Sequence, residues 1–185
     1  MENGWLMDYD VSNGMLMISN DLDVREVVMP LLLVGEAPNA TRASDDPSNA
    51  LCGSAYAKYG QPLGFSLDAW RSCIDRINLF SHYPGQQGKG SAFPMVAAKV
   101  QAQALLPMLA GRIVVFLGKR VAAAFGLRLI TYGTWTVLDH PGVAEISFRL
   151  MVLPHPSGIN QIWNDPRQRD AAVQAFLEAL DACCD

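Results

Sequence analysis

Continuous apolar runs along this chain alternate with stretches of helical periodicity. Residues 29–34 and 112–117 form nearly unbroken apolar runs, and residues 134–138 and 148–153 form two more. Residues 77–80 add a short strand candidate with one polar residue inside it. Runs of this length are typical of strands buried on both faces, as in parallel sheets. The pattern therefore predicts a mostly parallel sheet.

Between these runs the periodicity predicts helices. Ser66 is a suitable N-cap for a helix whose apolar positions share one face: Leu67, Trp70, Ile74 and Ile77. Further helices are predicted at about residues 93–109, 118–125 and 166–183. The last of these has Asp165 as N-cap and Pro166 at its first position. Strands that alternate with helices predict an α/β fold, a three-layer sandwich with a central, mostly parallel sheet of about four strands and helices on both faces.

Two other segments lack a clear period. Residues 1–28 predict an acidic N-terminal arm with one short helix near residues 21–27. Residues 39–65 are rich in Asn, Asp, Ser, Gly and Pro and predict a long irregular segment, which is usually functional in a compact domain. Residues 29–185 are predicted to form a single domain.

The composition is that of an ordinary globular domain. The chain has 185 residues, of which 50% are hydrophobic, enough for a sizeable core. No apolar run approaches the roughly 20 residues of a membrane span, and the acidic N-terminus lacks the plan of a signal peptide. We therefore expect a cytoplasmic monomer without membrane contact. The four cysteines include no C-x-x-C pair and predict neither a metal site nor disulfides.

The charge is unevenly distributed. The net charge is −4, from 18 acids and 14 bases. The first 30 residues hold six acids and one base, which leaves 12 acids and 13 bases in the remainder. That balance permits a nucleic-acid partner without predicting one, because binding needs a basic patch rather than a basic total.

Two loops carry the residues that could take part in catalysis or binding. Gly-Glu-Ala-Pro-Asn (residues 35–39) follows the first apolar run, and Leu-Pro-His-Pro-Ser-Gly-Ile-Asn (residues 153–160) follows the last. Both should open onto the same edge of the sheet, where open α/β folds bind ligands. The prolines on either side of His155 restrict its backbone, so the imidazole should be held in place.

Together with Asn78 in the short middle strand, these loops resemble the uracil-DNA glycosylase superfamily. Their order and spacing match that family over roughly residues 29–182. The resemblance implies a three-layer α/β enzyme that flips a base out of DNA and hydrolyses its N-glycosidic bond. We expect it to act without a metal or organic cofactor. The branch with Gly-Glu-Ala-Pro usually holds an iron–sulfur cluster on four cysteines. No cysteine precedes Gly35 here, so we expect no cluster.

The resemblance also implies roles for individual residues. Glu36 is the candidate for positioning water or stabilising the sugar cation, and His155 for stabilising negative charge on the departing base. Asn78 matches the base-reading Asn of the family. Ala37 stands where other branches have an Asp or Asn that orients water. Asn39 stands where the best-known branch has a tyrosine that excludes a C5 methyl group.

The rest of the second loop is expected to contact DNA. Backbone N–H groups around Ser157 and Gly158 could hold a flanking phosphate. Ile159 is the expected wedge that fills the space of the flipped nucleotide. Asn160 completes this DNA-contacting segment.

The substrate and even the activity stay open at this point. Uracil in DNA is the first expectation. The alternative substrate is a C5-substituted pyrimidine, such as a hypermodified base of phage DNA, and the protein would then serve antiviral defence instead of repair. Candidates for contacts with the C5 substituent are Asn39, Arg42 and Tyr56. An inactive DNA- or protein-binding relative is an alternative because of Ala37, and a hydrolase of free nucleosides or nucleotides is another. Glu36 could also be a structural cap, and His155 a turn residue.

Overall fold

The computed structural model describes residues 6–10, 15–20, 23–27, 31–38, 50–87, 90–139, 147–157 and 160–183. Near the N-terminus it contains an antiparallel sheet of three strands: β1 (Leu6–Asp10), β2 (Met15–Asn20) and β3 (Asp23–Val27). The prediction of a helix near residues 21–27 is therefore wrong. The reason lies in cross-strand pairing, since β3 is completed by hydrogen bonds to β2 that no local period reveals.

The next strands along the chain are β4 (Leu32–Gly35), β5 (Asp75–Asn78), β6 (Gln86–Gln87), β7 (Gly90–Ser91), β8 (Ile113–Leu117), β9 (Trp135–Asp139) and β10 (Ser147–Leu153). Strands β6 and β7 form a small ribbon, and the other five form the central sheet in the order β5-β4-β8-β10-β9. The first four are parallel, and β9 is antiparallel to β10. The predicted fold class is confirmed. The sheet has five strands where about four were predicted, and β9 is an antiparallel strand at its edge.

The central strand β8 explains why these runs are continuously apolar. All five of its residues are buried, and successive side chains alternate between the two faces of the sheet. Ile113, Val115 and Leu117 join one hydrophobic cluster. Val114 and Phe116 join the other. Each face of the sheet is thus covered by helices, as in other parallel sheets.

Four α-helices make up the outer layers: α1 (Leu67–Cys73), α2 (Met95–Leu109), α3 (Lys119–Ala124) and α4 (Pro166–Asp181). Helices α1 and α4 pack on the first cluster, and α2 and α3 on the second. The caps at Ser66 and Asp165 are confirmed, since their side chains accept hydrogen bonds from Ala69 N–H and Arg167 N–H. None of the described helices combines the length and apolar character needed to cross a bilayer.

Two sequence-based boundaries need correction. Helix α1 ends at Cys73, so Ile74 is extended and Ile77 lies in β5, although both were predicted on its apolar face. The described part of the segment 39–65 is largely helical, with a π-helical turn at Tyr56–Gly60 and a 3₁₀ turn at Gln61–Leu63. These short turns are stabilised by tertiary packing onto the first cluster rather than by a local pattern.

Candidate active site

Four neighbouring parallel strands each deliver one polar residue to the carboxyl edge of the sheet. Asn78 ends β5, Glu36 follows β4, Arg120 lies in the first turn of α3 directly after β8, and His155 follows β10. His155 Nε2 lies 3.9 Å from Glu36 Oε2. The expectation that both loops open onto one edge is confirmed, because parallel strands end on the same side of the sheet.

Glu36 is held by an arginine that sequence analysis gave no role. Arg120 Nε donates to Glu36 Oε1 at 2.9 Å, and Arg120 Nη2 donates to Oε2 at 2.5 Å. Glu36 is only 8% exposed and is the one buried charged residue among those described. A buried carboxylate needs such a partner, because an unpaired buried charge is strongly destabilising. Only the juxtaposition of β4 and β8 brings together residues 84 positions apart.

Gly118 makes the close approach of these groups possible. Its φ of +108° and ψ of 151° lie in a region that is essentially restricted to glycine. A Cβ atom here would lie 3.1 Å from His155 Cβ and 3.6 Å from Glu36 Oε1. The glycine therefore leaves room for both side chains at the end of β8.

A hydrogen bond to the imidazole ring indicates the tautomer of His155, and the direction of its pKa shift indicates its charge. The backbone N–H of Ser157 donates to His155 Nδ1 at 3.2 Å, so the neutral ring carries its proton on Nε2, on the side of Glu36. Burial lowers the pKa of His155 below its ordinary value of 6.5; Glu36 opposes this shift, and Arg120 adds to it. At neutral pH the imidazole is thus a neutral N–H donor.

The loop that carries His155 is anchored through its carbonyl groups. Tyr59 Oη donates to Pro154 O at 2.6 Å. Trp163 Nε1 and Asn160 Nδ2 both donate to His155 O, at 2.8 and 3.1 Å. Trp163 is buried in the core beside this loop. The two prolines of the loop have no N–H, so its carbonyl groups supply the attachment points.

This anchoring also engages two residues that were expected to contact DNA. Both ends of the Asn160 amide are engaged within the loop, since its Oδ1 accepts from Ile162 N–H. Asn160 therefore holds the loop. The Ser157 N–H, one of the groups expected near a phosphate, donates to His155 Nδ1. The DNA contacts of both residues stay predictions.

Asn78, at the end of β5, has a side-chain oxygen that lacks a hydrogen-bond partner among the described residues. This Oδ1 atom is buried. A Cβ on Gly35 would lie 2.6 Å from this oxygen and 2.5 Å from Leu51 Cδ2, so glycine is required there. Leu51 has a φ of +55°, an uncommon conformation for such a residue. An unsatisfied buried amide oxygen is costly, which makes Asn78 a candidate for contact with a ligand.

Of the other predicted residues, two make contacts of a different kind and four lie outside the described residues. Ala37 packs against the second hydrophobic cluster and offers no polar group. Tyr56 donates its hydroxyl to Phe65 O and packs on the first cluster; its contact with a C5 substituent stays a prediction. Asn39, Arg42, Gly158 and Ile159 lie outside the described residues. Their roles stay predictions.

Within the described ranges, no three His, Cys, Asp or Glu side chains are grouped in a way that could hold a metal ion. The protein is therefore an α/β domain whose candidate active site lies at the carboxyl edge of a parallel sheet. The site consists of a carboxylate paired with an arginine, a neutral histidine and a buried amide oxygen. The chain belongs to the uracil DNA glycosylase superfamily, whose family model matches residues 26–181. A search of curated proteins finds no match. Membership supports a glycosylase-type hydrolase in general and DNA as its partner.

Proposed function

We propose that this protein is a monofunctional DNA glycosylase that removes uracil or a related pyrimidine and leaves an abasic site. It would act as a cytoplasmic monomer without a cofactor. The observation that carries the proposal is the grouping of three side chains: a buried carboxylate in Glu36, a neutral N–H donor in His155, and an amide oxygen in Asn78 that is buried without a partner among the described residues. A structural carboxylate or turn histidine has no need of the other two.

The chemistry assigns a role to each group. As the bond between C1′ and the base nitrogen breaks, its electron pair moves onto the base, and negative charge develops on the base carbonyl oxygen. His155 Nε2–H would donate a hydrogen bond to this oxygen. Such a preorganised donor commonly contributes about 2.7 to 4 kcal/mol of transition-state stabilisation.

The sugar carries the opposite charge during this step. Glu36, buried beside His155, would stabilise the cationic sugar and orient a water molecule. The water oxygen forms the new bond to C1′, and its proton passes through the carboxylate to the departing base. The products are an abasic site and the free neutral base.

Asn78 would read the pyrimidine edge. Its amide offers one donor group and one acceptor, which suits either a uracil-like or a cytosine-like edge depending on its orientation. The unpartnered Oδ1 would be satisfied by this contact. Uracil is the first substrate to test, and pyrimidines with large C5 substituents are the second, since no aromatic residue occupies position 39.

Two lysines, one beside Trp163 and one next to Arg120 in the sequence, support DNA as the ligand. Lys58 Nζ lies 5.4 Å from the ring centre of Trp163, and Lys119 Nζ lies 5.1 Å from that of Tyr132. Neither lysine pairs with an acid among the described residues. Trp163 also donates to His155 O. Both ammonium groups would therefore be available to phosphates flanking the flipped nucleotide.

The experiment is single-turnover incubation with oligonucleotides that carry a panel of modified pyrimidines, with mass spectrometry of the released base. We expect release of at least one pyrimidine. Glu36→Gln and His155→Ala should each slow release by about tenfold or more, with little change in the melting temperature. Arg128→Ala serves as a charge control, because Arg128 is exposed beyond the end of α3. Tight DNA binding without any base release would favour the inactive binding module, and release from free nucleosides the nucleoside hydrolase.

A further inference from the structure

We propose that Arg120 is a positioning residue of this site: its guanidinium sets the orientation of the Glu36 carboxylate that faces the sugar and water. The inference rests on the proposed function and deepens it. Neither the sequence pattern nor the family match identifies this arginine. Its importance follows from the geometry of the pair and from what holds the arginine itself.

The two hydrogen bonds to Glu36 are parallel and engage both carboxylate oxygens. Such a fork-to-fork pair fixes the plane of the carboxylate as well as its distance. A carboxylate has about four lone-pair positions, of which Arg120 takes two. The described residues leave the remaining positions to a water molecule and to the side that faces His155 Nε2, 3.9 Å away.

Arg120 is itself held in place. Its guanidinium carbon lies 5.1 Å from the ring centre of Phe93, within the range of a cation–π contact. The Phe93 ring in turn packs edge-on against Phe80. Arg120 lies in the first turn of α3, directly after Gly118 and Lys119. The aromatic support and the short helix limit where the guanidinium can go.

The side chain of Arg120 is 46% exposed, compared with 9% for Glu36. That exposure defines the competing role, a direct contact with a DNA phosphate. The two roles differ in measurable ways. A phosphate contact contributes to DNA affinity in any background, whereas a positioning residue acts on the chemical step and only when Glu36 is present.

The experiment compares wild type, Arg120→Ala, Arg120→Lys, Glu36→Gln and the double variant Glu36→Gln/Arg120→Ala, with Arg128→Ala as the charge control. For each protein we would measure the single-turnover rate at saturating DNA, the DNA dissociation constant and the melting temperature. Arg120→Ala should lower the rate by about tenfold or more, equivalent to about 1.4 kcal/mol, with a dissociation constant within about twofold of wild type. Arg120→Lys should restore only part of the rate, because an ammonium group cannot form the bidentate pair. In the Glu36→Gln background, Arg120→Ala should have little further effect.

A loss of DNA affinity that accounts for the slower rate would overturn the proposal, and so would fully additive rate effects in the double variant. A wild-type rate in Arg120→Ala would overturn it as well, with the proposed function intact. If wild type releases no base from any oligonucleotide, the proposed function fails first and the role in catalysis fails with it. Non-additive melting temperatures for Glu36→Gln and Arg120→Ala would then distinguish that result by showing that the pair forms.

Discussion

Substituting alanine for Gly118 tests whether Glu36 and His155 depend on the gap at the end of β8. The backbone conformation at this residue disfavours any side chain, at a cost of about 1 to 3 kcal/mol. In a domain of this size, 1 kcal/mol corresponds to a shift of about 2 to 4 °C. Gly118→Ala should therefore lower the melting temperature by roughly 2 to 12 °C.

The effect on the site comes from contact rather than from backbone strain. The new Cβ would lie 3.1 Å from His155 Cβ and 3.4 Å from His155 Cδ2, whereas carbon atoms prefer separations of about 3.5 to 4.0 Å. His155 must then move by a few tenths of an ångström. Because a displacement of about 1 Å at a reacting group can cost about 100-fold in rate, base release should slow by about tenfold or more.

Gly126 provides the matched control. Its φ of +91° also disfavours alanine, but nothing lies within 4 Å of a Cβ at that position. Gly126→Ala should lower the melting temperature by a few degrees and leave the rate of base release unchanged. Both variants are assayed in single-turnover mode at a temperature well below their unfolding midpoints. Equal rates for Gly118→Ala and wild type would refute the reasoning, since His155 could then move without consequence.

Two further predictions follow from the described residues, and a third from the sequence. The folded state binds fewer protons at His155 than the unfolded chain, because its pKa is lowered; stability should therefore fall as the pH drops from 6.5 towards the lower folded value. The melting temperature of wild type should decrease more over that range than that of His155→Gln, and parallel curves would contradict the pKa shift. Lys58→Ala and Lys119→Ala should each weaken DNA binding and reduce the salt dependence of log K by about one phosphate contact, as measured by a salt titration, in contrast to Arg128→Ala. Ile159→Ala should slow base release from duplex DNA much more than from single strands, because only a stacked and paired base needs a wedge; equal losses would indicate a packing role.

Local pattern was sufficient for the framework of the domain. The buried strands and α4 follow from apolar runs and from the caps at Asp165 and Pro166, because these features act between residues close in sequence. The common edge for Glu36 and His155 also follows from the sequence, since parallel strands end on the same side of a sheet. The strand β3 did not follow, because its pairing with β2 is a property of two segments together.

The interior of the site was decided by the tertiary structure alone. Arg120 reads in the sequence as one of two bases at the start of a short helix, yet it holds the buried Glu36 through two hydrogen bonds. Asn160 was predicted as a DNA contact, and only the structure shows that both ends of its amide also anchor the loop of His155. The physical reason is the same in each case. A polar side chain acquires its role from the partner it reaches, and for Arg120 that partner is set by the register of β4 beside β8 rather than by any neighbour in the sequence.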